Sequence, residues 1–174
     1  LDIALQHIAD PVLTNMRRHI TKEETLKVIE KIRSIVPDIK LRTTLMVGFP
    51  GETEEAFKEL VDFVREVKFD RMGAFTYSEE DDIPQDVKQE RLDILMAAQE
   101  DVALSLNEQM IGQCVKVIVD RIEGDRYVGR TQWDSPEVDP EVYFPINDTD
   151  YDEGDFVRVR LTQAYPYELE GELV

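Results

Sequence analysis

Cysteine occurs once in this chain of 174 residues, at Cys114. One thiol excludes an internal disulfide and any multi-cysteine metal site built from this sequence alone. No apolar run approaches the ~20 residues of a membrane span, so no membrane partner is expected. The sequence has no signal peptide and no initiator Met, and the expected setting is cytoplasmic. Positive charge is scarce as well. Twenty Lys and Arg stand against 38 Asp and Glu, a formal charge of −18. Such a surface is poorly suited to a phosphate backbone, because nucleic-acid binders gain affinity when Lys and Arg neutralise phosphates. It suits a basic partner. With 42% hydrophobic and 33% charged residues, what is present is enough for a packed core, in one ordinary domain or two small ones.

Leu1 to Gln6 alternates as a strand does from the first position, which suggests a piece of something longer. Asp10-Pro11 reads as an N-cap with Pro at the first helical position, opening a short helix through Met16. Thr21-Lys22-Glu23-Glu24 is a capping box, followed by Leu26, Ile29, Ile32 and Val36 on one helical face. A buried strand is predicted over Leu41 to Val47, then a helix with Phe57, Leu60, Val61 and Val64 on its apolar face, then a strand near Met72 to Tyr77. This βαβαβ order implies parallel strands with the helices on one side, a slice of a barrel or open sheet. A long helix runs from Asp86 toward a Gly112 cap. Beyond Gln113 short strands separated by turns predict a small β-barrel, with Val142 to Phe144 a fifth strand candidate. The expected division is 1–85, 86–112 and 113–174, an α/β part, a connecting helix and an all-β barrel. Each half is acidic, −9 for residues 1–112 and −9 from 113 onward, and the barrel sequence lacks the basic stripe that an RNA-binding surface requires.

Three segments draw attention. Gln6 and His7 fall where the first strand ends, the end of a parallel strand that faces a ligand crevice; the alternative is a hydrogen-bonded loop pair. Arg42 to Thr53 is a strand and a Gly-containing turn before a helix. Arg42 within a buried strand is costly unless paired, which makes it a candidate anchor for a carboxylate. Gly48 and Gly51 allow close backbone approach, and Glu52 stands beside a helix N-terminus. A tight turn with no ligand is the alternative. Third, Trp133 sits among Asp134, Glu137 and Asp139 in a Pro-containing loop, either an aromatic anchor rimmed by charge or a side chain covering the barrel. The five methionines are scattered and read as core fillers, and Cys114 reads as a small buried hydrophobe. The two histidines, His7 and His19, cannot form a metal site alone.

Leu5-Gln6-His7, Val12-Leu13 with Met16-Arg17-Arg18, and Arg42-Thr43-Thr44 through Val47-Gly48-Phe49-Pro50-Gly51-Glu52-Thr53-Glu54 resemble the later strands of the radical S-adenosylmethionine methylthiotransferases. The C-terminal part resembles the TRAM barrel these enzymes carry. One branch of the family modifies an adenosine of transfer RNA. The other adds a methylthio group to the β-carbon of an aspartate of a small-subunit ribosomal protein. Val128-Gly129-Arg130-Thr131 followed by Ser135 to Asp139 is similar to the second, and the acidity of the barrel agrees with a basic protein partner, free or within the ribosomal subunit, over transfer RNA.

The resemblance implies a partial (βα) barrel, S-adenosylmethionine as cofactor, and two four-iron four-sulfur clusters. In the family, cysteines of a C-x-x-x-C-x-x-C loop and of an N-terminal domain hold the clusters. None of them is in this sequence, so the clusters are ligated outside it and the chain alone is expected to be inactive. The resemblance assigns Gln6 to the ribose or amino-acid end of the cofactor, Arg42 to its carboxylate, and Val47, Gly48 and Phe49 to adenine. Trp133, Asp134, Glu137 and Asp139 are the expected substrate-recognition residues. No catalytic acid or base is assigned. Between Ser78 and Pro84 only Glu79 to Ile83 intervene, where the family carries a longer loop.

Overall fold

A computed structural model describes the chain except for residues 80–82, 137 and 148–149. It forms two compact units, Leu1–Val102 and Ala103–Val174.

In the first unit β1 (Asp2–Gln6), β2 (Arg42–Val47) and β3 (Arg71–Thr76) form a parallel sheet in the order β1-β2-β3. The strand connections carry α1 (Asp10–Asn15), α2 (Lys22–Ile35) and α3 (Glu54–Val67), and α4 (Gln85–Glu108) follows β3. The core is one-sided. Leu5, Leu45 and Val47 pack with Phe57, Leu60 and Val64 of α3 and with Leu95 of α4. Burying each such side chain contributes roughly 1.5–3 kcal/mol. Alternation sends the other residues to the opposite face: Asp2, Ala4 and Gln6; Arg42, Thr44 and Met46; Arg71, Gly73 and Phe75. Cross-strand register sets Arg42 beside Arg71, Thr44 beside Gly73 and Met46 beside Phe75. Half-buried or exposed, these residues make an open sheet face that mixes charge with apolar surface.

The capping box at α2 is present in both directions, with Thr21 N donating to Glu24 Oε2 at 2.9 Å and Glu24 N donating to Thr21 Oγ1 at 3.3 Å. Two expectations at helix ends are corrected. Asp10 does not cap its own helix, whose N-cap is Ala9; its Oδ1 accepts from the Lys22 amide at 2.7 Å and so secures the start of α2. Val36 leaves the apolar face because it is the C-cap, with φ −129° and ψ 85°, and lies exposed.

The second unit contains a closed barrel of β4 (Cys114–Glu123), β5 (Arg126–Thr131), β6 (Glu141–Pro145), β7 (Phe156–Ala164) and β8 (Glu168–Leu173), ordered β4-β5-β6-β8-β7. Closure removes the exposed edges that a five-stranded sheet otherwise has. Val115, Val117, Val119, Tyr127, Phe144, Val159, Leu161 and Leu169 fill it. At Gly129 an added Cβ would stand 2.2 Å from the Ile118 carbonyl oxygen, so neighbouring backbone leaves no room for a side chain. Cys114 is exposed, against expectation: with Val115 and Val117 turned inward, alternation turns residue 114 outward. Gly112 has φ +86° but lies four residues beyond the end of α4, and it caps no helix.

Candidate functional site

At the carboxyl edge of the parallel sheet, β1 ends on Gln6, β2 runs into the Gly48 turn and β3 into Tyr77. Gly48 has φ +74°, a conformation that glycine adopts without strain. Its close approach is made to Lys88 of α4, whose Cγ would lie 2.4 Å from an added Cβ. Lys88 is 1% exposed. Its ammonium donates to the carbonyls of Tyr77 at 3.3 Å and Glu79 at 3.0 Å and lies 5.3 Å from the centre of the Tyr77 ring. Phe49 meets Tyr77 edge to face at 4.9 Å. The turn between β2 and α3 is thereby tied to the segment leaving β3.

Beneath this edge lies a buried charged network. The Glu52 side chain is wholly buried; its Oε1 accepts from Gly48 N at 3.0 Å and from Arg91 Nη1 at 2.6 Å. Its Oε2 stands 3.0 Å from His7 Nε2. His7 Nδ1 accepts from the Ala9 amide at 3.0 Å, which leaves the ring hydrogen on Nε2, donated to Glu52. Arg91 also pairs with Glu54 and lies 5.5 Å from the Phe57 ring centre. Burial alone would lower the Arg91 pKa, but its hydrogen bond to Glu54 and the charge of Glu52 and hydrogen bond to it outweigh burial and raise it. Three donors on one carboxylate are what a buried charge requires.

The structure brings some expected cofactor residues together and separates others. Gln6 and Phe49 share the carboxyl edge. Among the described residues the Gln6 amide oxygen, shut off from solvent, accepts no hydrogen bond. Arg42 is on the same open face as Gln6 but at the amino end of β2. Since Gln6 pairs with Leu45, Arg42 is three residues, or about 10 Å, further down the sheet. Val47 is fully buried on the helix side, so its side chain does not reach the open face, and the Gly48 amide is held by Glu52. Of the segment expected to meet adenine, only Phe49 keeps a side chain at the edge. Met46 and Phe75, apolar neighbours on the open face, were not expected there; the strand period places Met46 but says nothing of its partner on β3.

The barrel has two features that the sequence did not reveal. Asp134 is nearly buried and accepts from Thr131 Oγ1 at 2.5 Å; Asp139 accepts from Ser135 N at 2.6 Å. Both carboxylates fold their own loop. Glu137 lies outside the described residues. Trp133 is 39% exposed. Beside this loop a cleft of about 270 Å³ is lined by Asp120, Arg121, Arg130, Ser135, Asp139 and Glu141. Arg121 grips Glu141 with both terminal nitrogens, and Tyr143 donates to Glu141 at 2.9 Å. These hydrogen bonds, Arg121's above all, hold the Glu141 pKa below its ordinary value against the effect of burial. Second, a basic row exists after all. Pairing of β4 with β7 sets Lys116 beside Arg158 and Ile118 beside Phe156, with Arg160 next along, all facing outward. Lys116 Nζ lies 4.0 Å from the centre of the Phe156 ring, and among the described residues Lys116, Arg158 and Arg160 form no ion pair. The row was hidden because it is made of two strands some forty residues apart. Among the described residues no group of three or more His, Cys, Asp or Glu is arranged to hold a metal ion, and no helix is long and apolar enough to cross a membrane.

Comparison with known proteins matches residues 1–64 to the Radical SAM superfamily and residues 111–174 to the TRAM domain. Proteins named ribosomal protein uS12 methylthiotransferase RimO from Bacteroides fragilis and Bacteroides thetaiotaomicron are each 53% identical over 184 positions covering all of this chain. One from Christiangramia forsetii is 45% identical over 99% of the chain. Over its whole length the chain is similar to radical S-adenosylmethionine methylthiotransferases. It spans 43%, 42% and 40% of the length of these three relatives. The alignments run over 184 positions against the 174 residues here, so these methylthiotransferases carry residues that this chain lacks.

Proposed function

We propose that this chain forms the C-terminal part of an enzyme that places a methylthio group on the β-carbon of an aspartate in small-subunit ribosomal protein uS12. The observation that carries this reading is the 53% identity to uS12 methylthiotransferases across both the sheet unit and the barrel. S-adenosylmethionine is the cofactor that the open sheet face would receive. The residues present fit it: the unsatisfied Gln6 amide oxygen is an acceptor for a ribose hydroxyl or the ammonium group. Arg42 is our candidate for its carboxylate, so a ligand touching both lies along the strands. Phe49 borders the adenine end. When bound, S-adenosylmethionine and a reduced iron–sulfur cluster supply radical abstraction of hydrogen from an unactivated carbon. The chain's own residues bind and orient: the contact of the Ala9 amide with His7 Nδ1 holds the turn that carries Gln6, and the Glu52 network fixes the turn that carries Phe49. Cys114, alone and exposed on the barrel, does not fit a cluster, and we assign two clusters to cysteines outside this sequence.

The barrel is assigned to recognition of the basic ribosomal protein in the cytoplasm. Trp133 is the anchor and the net negative charge steers the approach. A second reading, transfer RNA as the partner, draws on the row of Lys116, Phe156, Arg158 and Arg160. Binding kinetics of the full-length enzyme to uS12 and to transfer RNA, each at two salt concentrations, separate the two. The first reading predicts tight uS12 binding, with Trp133→Ala raising the dissociation rate by a factor worth about 2 kcal/mol. Tighter, more salt-sensitive binding to the RNA favours the second.

A further inference from the structure

The backbone just after β1 is bent in an unusual way. His7 N donates to the Leu5 carbonyl at 2.9 Å, closing a turn over the single residue Gln6, whose φ is +68°. A three-residue turn centred on positive φ is the rare and strained kind of γ-turn. Gln6 is not glycine, so the conformation persists only where its surroundings over-determine it. The register of β1 against β2 is irregular over the same stretch, between Ile3 and Gln6.

The surroundings that hold it converge on the His7 ring. The side chain is wholly buried. Nδ1 takes the Ala9 amide, fixing the backbone beyond the turn, and Nε2 is fastened to Glu52. Glu52 is in turn fixed by Gly48 and Arg91, on two other elements. The residue so clamped is the one whose buried amide oxygen lacks a donor among the described residues. We propose that His7 is a positioning residue, whose ring locks the γ-turn that holds Gln6 ready to accept a hydrogen bond from S-adenosylmethionine. This rests on the reading of Gln6 as a cofactor contact.

The two ring nitrogens point in different directions, and amide side chains can imitate one or the other. In His7→Asn an oxygen takes the place of Nδ1, so the Ala9 clamp survives and the link to Glu52 is lost. In His7→Gln a terminal NH₂ takes the place of Nε2, so the Glu52 link survives and the clamp is lost. The test measures S-adenosylmethionine affinity of the reconstituted full-length enzyme without reductant, together with hydrogen exchange at the Ala9 amide. Gln6→Ala should weaken binding about tenfold, as loss of one polar contact does. His7→Gln should release the Ala9 amide and weaken binding to a similar degree. Adding Gln6→Ala to it should cost little more, because both act through one contact. His7→Asn should keep Ala9 protected and bind like the parent. Unchanged affinity in His7→Gln with Ala9 released overturns the proposal, as does weakened affinity in His7→Asn with Ala9 still protected. If His7→Gln does not fold, His7→Asn decides by the same criterion. Unchanged affinity in Gln6→Ala overturns the cofactor reading itself, and the positioning role falls with it, a pattern distinct from failure at His7 alone.

Discussion

Replacing Glu52 by Gln keeps the shape of the side chain and removes the charge at the centre of the buried network. Three hydrogens point at that carboxylate, from His7 Nε2, Gly48 N and Arg91 Nη1. A glutamine offers one oxygen and an NH₂ group, so at least one donor is turned away. At 2.6 Å and an effective dielectric constant of about 20, the Arg91–Glu52 attraction is roughly 6 kcal/mol before desolvation is set against it. Arg91 keeps Glu54, but that carboxylate is 77% exposed and screened by water. The net loss should be about 3–5 kcal/mol, the usual cost of removing one partner from a buried pair. For a unit of this size it lowers the melting temperature by roughly 12 °C or more. Far-UV circular dichroism of the chain follows the helices of the first unit, while the fluorescence of Trp133, the single tryptophan, follows the barrel. Only the first transition should move. Arg91→Met in the same chain should recover part of the loss, since it removes the charge left without its partner. A loss below about 1 kcal/mol for Glu52→Gln, or no recovery with Arg91→Met, would refute the assignment of Glu52 as the charged hub.

In the barrel, Gly129→Ala should cost about 3 kcal/mol or abolish the Trp133 transition, because the new methyl group meets the Ile118 carbonyl and backbone cannot yield as a side chain can; denaturant unfolding by fluorescence checks it. Reversing Lys116, Arg158 and Arg160 to Glu should leave uS12 binding intact and flatten whatever salt dependence the enzyme shows toward RNA, read by titration at several ionic strengths. For pH, the Glu141 pKa lies below its ordinary 4.5, so its contribution is present above that value and is lost as pH falls through the lowered one. The Tyr143 pKa is raised above its ordinary 10.0, by burial and then by its hydrogen bond to Glu141, so its contribution is present below pH 10.0 and is lost as pH rises through the raised value. Barrel stability should therefore fall at both ends, and Glu141→Gln should remove the acid limb from a Trp133 melting series.

Elements and their faces were legible because they rest on local periods. Alternation of Val115 and Val117 around Lys116, or Phe57 and Leu60 repeating along α3, needs no knowledge of the rest of the chain. The parallel sheet and the barrel followed from element order. Partnerships across the chain were not legible. Glu52 looked like a charge at a helix start, and its partner Arg91 is 39 residues further on. A trace of it existed: Lys88, Arg91, Leu95 and Gln99 repeat at helical spacing, so α4 buries polar side chains along the stripe that should be apolar. The glycine turn showed that something approaches Gly48 closely; that it is Lys88 requires the fold. Arg42 was legible as a half-buried cation in a strand, but its place at the end opposite Gly48 follows from strand direction and limits what it can touch. That Asp134 and Asp139 bond within their own loop was not legible, because loop acids so bonded have the same sequence signature as acids waiting for a partner.

What the full-length enzyme modifies decides between the ribosomal protein and transfer RNA. Reconstituted with iron, sulfide, reductant and S-adenosylmethionine, it should be offered ribosomal protein uS12 and transfer RNA in parallel, with both products mapped by mass spectrometry. The expected result is one methylthio group on a single aspartate of the ribosomal protein and unmodified RNA. A methylthio group on adenosine with the protein unchanged would contradict the assignment of uS12 as substrate.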